Sequence, residues 1–244
     1  ENKYLDVLSS RDFDKMNLLI SGYDLLFIDW GSGVLTPYYY STQISATINT
    51  SSYTAGQTVK FYAPNVTGFK ASNQKLTSLN VTRATNLQAL DCNKNNLTVL
   101  DISNNNELKD FNCSYNAIQT LDFSNKQKLT TVDCTRNQLT SLDVSASNVL
   151  TSIKCPENLI SALTIGDNPL LAELVCYSNK LNLSTLPVPK STWTNFKYNN
   201  QGNFDIVPNS ERAIDLSTHI NQLDENGQPN PTSFSWHTIG GSVL

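Results

Sequence analysis

The residues best suited to chemistry in this chain are its five cysteines, Cys92, Cys113, Cys134, Cys155 and Cys176, each 21 residues from the next. Thiols have four common uses: disulfides, metal ligation, nucleophilic attack, and packing as small apolar side chains. An odd number leaves at least one unpaired. A metal needs several ligands converging on one point. No C-x-x-C occurs, and the two histidines, His219 and His237, lie well beyond the last cysteine. A cysteine nucleophile needs a base and partial exposure. A serine triad needs a histidine oriented by a carboxylate. Asp215 precedes His219 by four residues, but no G-x-S-x-G accompanies them. These absences lead to the expectation of a non-enzymatic protein with no catalytic residue, no metal site and no cofactor.

The elements that hold the cysteines explain their spacing. Leu87, Leu108, Leu129, Leu150 and Leu171 share the 21-residue interval, as do Leu90, Phe111, Val132, Ile153 and Leu174. So do Leu97, Ile118, Leu139, Ile160 and Leu181, and the polar column Asn95, Asn116, Asn137, Asn158 and Asn179. Leu100, Leu121, Leu142 and Leu163, with Ile102, Phe123, Val144 and Ile165, complete six apolar columns. Each unit reads L-x-x-L-x-C-x-x-N-x-L, the leucine-rich-repeat signature with cysteine in a slot that more often takes leucine. One such coil cannot bury its own apolar stripe, but stacked coils bury a continuous core. The expected fold is a solenoid of short parallel strands, about 21 residues per coil, with a weaker extended ladder on the opposite side. In-register ladder side chains point the same way rather than at each other, so the thiols are expected to be free and buried. The asparagines are expected to bond backbone groups at the turns.

Degenerate coils are expected at both ends of the array. Phe69, Ala71, Gln74, Leu76 and Leu79 fit the columns one unit earlier. Trp193, Phe196, Tyr198 and Gln201 fit one unit later, after a one-residue insertion.

If Leu90 and Cys92 point inward, their neighbours point outward. The candidate ligand-binding residues are therefore Ala89 and Asp91, Asp110 and Asn112, Thr131 and Asp133, Ser152 and Lys154, and Glu173 and Val175, with Asn195 and Lys197 in the following row. This face is mixed and mildly acidic. Its carboxylates recur with the coil, which favours a solvated strand face over a glycosidase-like pair. It lacks the aromatic and arginine anchors that commonly carry binding energy. A second candidate is Trp30 with Tyr38, Tyr39 and Tyr40, where exposed rings would stack on a glycan. Strand aromatics packed in a local core are the alternative.

The chain has 244 residues, 39% hydrophobic and 16% charged, with a net charge of −4. The mild negative charge gives no electrostatic reason to expect nucleic acid or an anionic membrane. No apolar run approaches the roughly 18 residues needed to span a bilayer. Three segments are expected: a small β unit over 1–65, the solenoid over 66–203, and a C-terminal β segment over 204–244 that opens a further domain. In the first, Asn17–Ser21, Asp24–Asp29, Gln43–Asn49 and Thr58–Tyr62 read as strands between turn formers. In the last, Ala213–Ile220 and Thr232–Thr238 do so. Sequons occur at Asn49, Asn65, Asn80, Asn96, Asn112 and Asn182. The chain begins at Glu1 without a signal-like segment, consistent with a mature form whose targeting segment has been removed.

With units such as Leu139-Thr140-Ser141-Leu142-Asp143-Val144-Ser145 in view, the chain resembles bacterial cell-surface leucine-rich-repeat proteins, internalin-like or BspA-like, over residues 66–203. Asp29-Trp30-Gly31-Ser32-Gly33 is similar to a turn of bacterial PKD-like β-sandwich modules. The resemblance implies an exported, extracellular or surface protein, often lipid-anchored, working in adhesion or protein binding. It transfers no ligand. An extracellular protein is the expected partner. A glycan bound by the N-terminal aromatics, or a spacer role in a larger surface protein, are the alternatives.

Overall fold

The structure, a computed structural model, describes strand backbone at 4–9, 15–21, 26–29 and 44–49, together with residues 32–38, 58–63, 65–181, 187, 190, 192–198 and 201. Among the described residues eight strands precede the cysteine-bearing coils: β1 Tyr4–Ser9, β2 Lys15–Ser21, β3 Leu26–Asp29, β4 Leu35–Tyr38, β5 Ile44–Asn49, β6 Thr58–Tyr62, β7 Gly68–Lys70 and β8 Leu76–Asn80. The coils contribute β9 Ala89–Asp91, β10 Asp110–Asn112, β11 Thr131–Asp133, β12 Ser141–Asp143, β13 Ser152–Lys154, β14 Ala162–Thr164, β15 Glu173–Val175 and β16 Asn195–Lys197.

The chain is a leucine-rich-repeat β-solenoid of about six turns with about 21 residues per coil. Strands β7, β9, β10, β11, β13, β15 and β16 form a parallel ladder, with β2 and β5 added antiparallel at the β7 end. Every described pairing between the coils is in register, so Leu90 faces Phe111, then Val132, Ile153, Leu174 and Phe196. A second parallel pair, β12 with β14, sets Leu142 against Leu163 and supplies the expected weaker ladder. All five Leu87-column residues and all five cysteines are at most 1% exposed.

The N-terminal strands grip the first coil from two sides. Strand β2 pairs with β7, while β1 lies between β6 and β8 in a five-stranded antiparallel sheet. Hence this sheet takes strands from both sides of residue 65. Strands β2, β3, β5 and β6 fall where sequence periodicity places them. Strands β1 and β4 were not expected. β4 carries Pro37, which has no N–H for a ladder bond, and it sits at the sheet edge where that is tolerated. The segment 204–244, with Asp215, His219 and His237, lies outside the described residues, as do Trp30, Tyr39 and Tyr40.

Candidate functional site

The asparagine column holds each coil to the one before it. The Asn137 side-chain Nδ2 donates to the Cys113 and Cys134 carbonyls at 3.1 Å, and its Oδ1 accepts from Ile118 N at 3.0 Å. Asn95, Asn116, Asn158 and Asn179 repeat the pattern. In the next coil Gln201 takes over, donating to Cys176 O at 2.9 Å and accepting from Leu181 N at 3.1 Å. These amides are committed to the backbone.

The thiols are equally committed, by packing. All five are free and buried. Burial pushes every thiol up from its ordinary value, and Cys176 reaches about 12. Such groups are neutral at physiological pH and hold no thiolate for attack or metal ligation. Among the described residues no group of three or more His, Cys, Asp or Glu side chains is placed to hold a metal ion.

A second polar column runs along the other turn: Asn105, Lys126, Ser147 and Asn168, all buried. Asn105 Nδ2 donates to Val81 O and Ala84 O, and Ser147 Oγ donates to Lys126 O. Lys126 Nζ reaches Ser103 O and Asn106 Oδ1, each at 3.3 Å. Burial lowers its pKa, partly offset by Asp122 and Asp101. Sequence reasoning missed this column. Its only signal was a polar residue three before each repeat leucine, disguised by four positions using three residue types.

The outward strand positions form a face with a shallow depression of about 380 Å³ over β9, β10, β11 and β13. Its lining includes Ala89, Asp91, Asp110, Asn112, Thr131, Asp133, Ser152 and Lys154, with Lys70 at the near end. Glu173 and Val175 are not among the lining residues. Val175 was expected to face outward into solvent; it is only 8% exposed, flanked in register by Lys154 and Lys197.

The two ends of this face differ. Toward β15 its polar groups satisfy each other. Ser152 Oγ and Asn195 Nδ2 donate to Glu173 at 2.6 and 2.7 Å, and Lys154 pairs with it at 3.1 Å. Burial raises the Glu173 pKa, but these three donors outweigh it and leave the carboxyl below its ordinary value. Toward β9 the carboxylates are only half used. Asp91 Oδ1 accepts from Asn93 N and Nδ2, and Asp133 Oδ1 from Thr135 N and Oγ1. Asn112 makes the same turn with Ser114. Asp110 Oδ1 accepts from Thr131 Oγ1 at 2.9 Å. In each Asp the second oxygen has no partner among the described residues. The local Asx turns explain why the strands end in Asp or Asn. The free oxygens remain available for a ligand.

Among the described residues no helix is long and apolar enough to cross a membrane. Comparison with protein-family models and with curated proteins gave no match. Solved structures did match. The chain is similar to the functional domain of InlJ from Listeria monocytogenes, a domain that includes a cysteine ladder, at 29% identity and a TM-score of 0.51. That match covers 64% of this chain but 33% of the other, so this chain spans about a third of its length. An internalin (InlF) from Listeria monocytogenes matches at 19% identity and TM-score 0.42, covering 49% of this chain and 37% of that one. A leucine-rich-repeat protein from Leptospira interrogans does so at 19% and 0.42, covering 61% and 40%.

Proposed function

We propose that this chain is a non-enzymatic recognition module of a surface or secreted protein, and that it binds a protein partner through the outward face of β9, β10 and β11. One observation carries the reading. Asp91, Asp110 and Asp133 each keep a carboxylate oxygen with no partner among the described residues at the depression, whereas the β13–β15 end has closed its polar groups on itself. Three carboxylates between Lys70 and Lys154 suit a segment that brings a basic side chain to the centre of the face. Likeness to the InlJ domain agrees with a protein-interaction role. Surface or extracellular placement rests on the family resemblance.

The turn bonds dictate how this is tested. Alanine at Asp91 or Asp133 removes a cap as well as a charge. Asparagine keeps the Oδ1 acceptor, as Asn112 already does in the same column. The variant Asp91→Asn/Asp110→Asn/Asp133→Asn should keep its unfolding midpoint. It should lose about tenfold or more in affinity for a protein captured from extracellular fractions on the immobilised chain. Retention of full affinity by the triple variant would remove this face from consideration.

A further inference from the structure

We propose that Lys94, Tyr115 and Arg136 form a second recognition surface beside the strand face, and that it takes an acidic side chain of the partner polypeptide. The proposal rests on the strand-face reading for the partner's class, but on different residues and contacts. The three positions are equivalent in successive coils, each three residues beyond Asp91, Asn112 or Asp133. They therefore form a ridge along the C-terminal ends of β9, β10 and β11.

The ridge supplies what the face lacks. Tyr115 is 41% exposed, and two cations address its ring: Lys94 Nζ at 5.9 Å and Arg136 Cζ at 5.1 Å from the centroid. Tyrosine and arginine are the side chains most often responsible for binding energy at protein interfaces. Here their backbone is fixed in advance. Lys94 N donates to Ser114 O, Tyr115 N to Thr135 O and Arg136 N to Pro156 O, at 2.8, 2.7 and 3.0 Å. All three residues have left-handed backbone, with φ of 54°, 58° and 52°. The same left-handed turn recurs at Asn73, Glu157 and Ser178, one per coil, so it belongs to the coil and fixes where these three side chains project.

Charge sets the occupant. Arg136 is shared with Glu157, while Lys94 has no carboxylate partner among the described residues, so the ridge offers a cation next to an exposed ring. A carboxylate on a short segment would meet Lys94 and Arg136 and lay its chain on Tyr115. A long polyanion fits less well. Asp91 and Asp133 stand three residues before Lys94 and Arg136, and the chain carries a net charge of −4. A polypeptide with a basic side chain for the face and an acidic one for the ridge matches both.

Random peptides displayed on phage and selected on the wild-type chain provide the probe. Selected peptides should be enriched in Asp and Glu. They should lose about tenfold or more of their binding on Tyr115→Ala/Arg136→Ala. Lys94→Gln, a change in an exposed side chain, gives an independent readout should the double variant lose its fold. Loss on the ridge variants with full binding to Asp91→Asn/Asp110→Asn/Asp133→Asn supports the ridge and removes the strand face. Loss on the triple Asp variant alone overturns the ridge and keeps the face. Peptides without acidic enrichment, or equal recovery on wild type and both ridge variants, also overturn it. Binding of a heparin oligosaccharide with the same Tyr115 dependence would overturn the assignment to an acidic peptide.

Discussion

Asn137→Ala should destabilise the solenoid by about 3 kcal/mol or more, read as a shift in the urea midpoint at unchanged slope. The expectation follows from what the amide holds. Its Nδ2 satisfies the Cys113 and Cys134 carbonyls, and its Oδ1 satisfies Ile118 N. Alanine leaves those three backbone groups without their partner in the interior, where water does not replace it. Each such group costs about 1–3 kcal/mol. A protein of ordinary stability has only about 5–15 kcal/mol to lose. Asp at 137 should be no better, because it keeps the acceptor but forfeits both donated bonds. Asn96→Ala, one position after Asn95 on an exposed side chain, should shift stability by less than about 0.5 kcal/mol. Equal effects at 137 and 96 would refute the ladder.

The second large effect is on alkaline stability. Unfolded thiols titrate near their ordinary value of 9.0, whereas burial holds all five folded thiols far higher. Above pH about 9 the unfolded chain sheds protons that the folded chain retains. It then binds fewer protons than the native state, so stability falls as pH rises. Below pH about 8 both states keep the thiol proton and this contribution is flat. With five thiols the slope approaches about 7 kcal/mol per pH unit between the unfolded and folded titrations, enough to unfold the domain within about two units. Denaturant midpoints followed by circular dichroism from pH 7 to 11 would show it. Cys134→Ala should remove about one fifth of the slope. A slope that does not respond to Cys134→Ala would mean the thiols are not the cause.

Much of this was legible because one period organises the chain. A 21-residue repeat fixes which side chains stack, and stacking fixes which are buried. Thus Phe69, Ala71 and Gln74 before the cysteines, and Trp193, Phe196 and Gln201 after them, were placed correctly by column alone. The misses have physical causes. Strand β1 pairs with β6 and β8, partners distant in sequence, so local pattern carried little information. Strand β4 was hidden by Pro37. Asp91 and Asp133 looked like free surface charges, although D-C-N and D-C-T contain the turn that uses half of each carboxylate. The Glu173 network needed cross-coil geometry, since Ser152 and Asn195 meet it only through the stack. Tyr115 was overlooked because it lies outside the strand, where alternation gave no reason to look. Trp30, Tyr39 and Tyr40 lie outside the described residues, and Tyr38 contributes only its place at the end of β4.

The thiol and amide columns are framework, which leaves the proposed recognition to the surface. Alkylation of the native protein by N-ethylmaleimide at neutral pH, followed by intact mass, tests it most directly. The folded chain should carry no adduct over times in which a free cysteine is fully modified, and five adducts once denaturant unfolds it. A folded chain that takes up label on any of the five at the rate of a free thiol would contradict it.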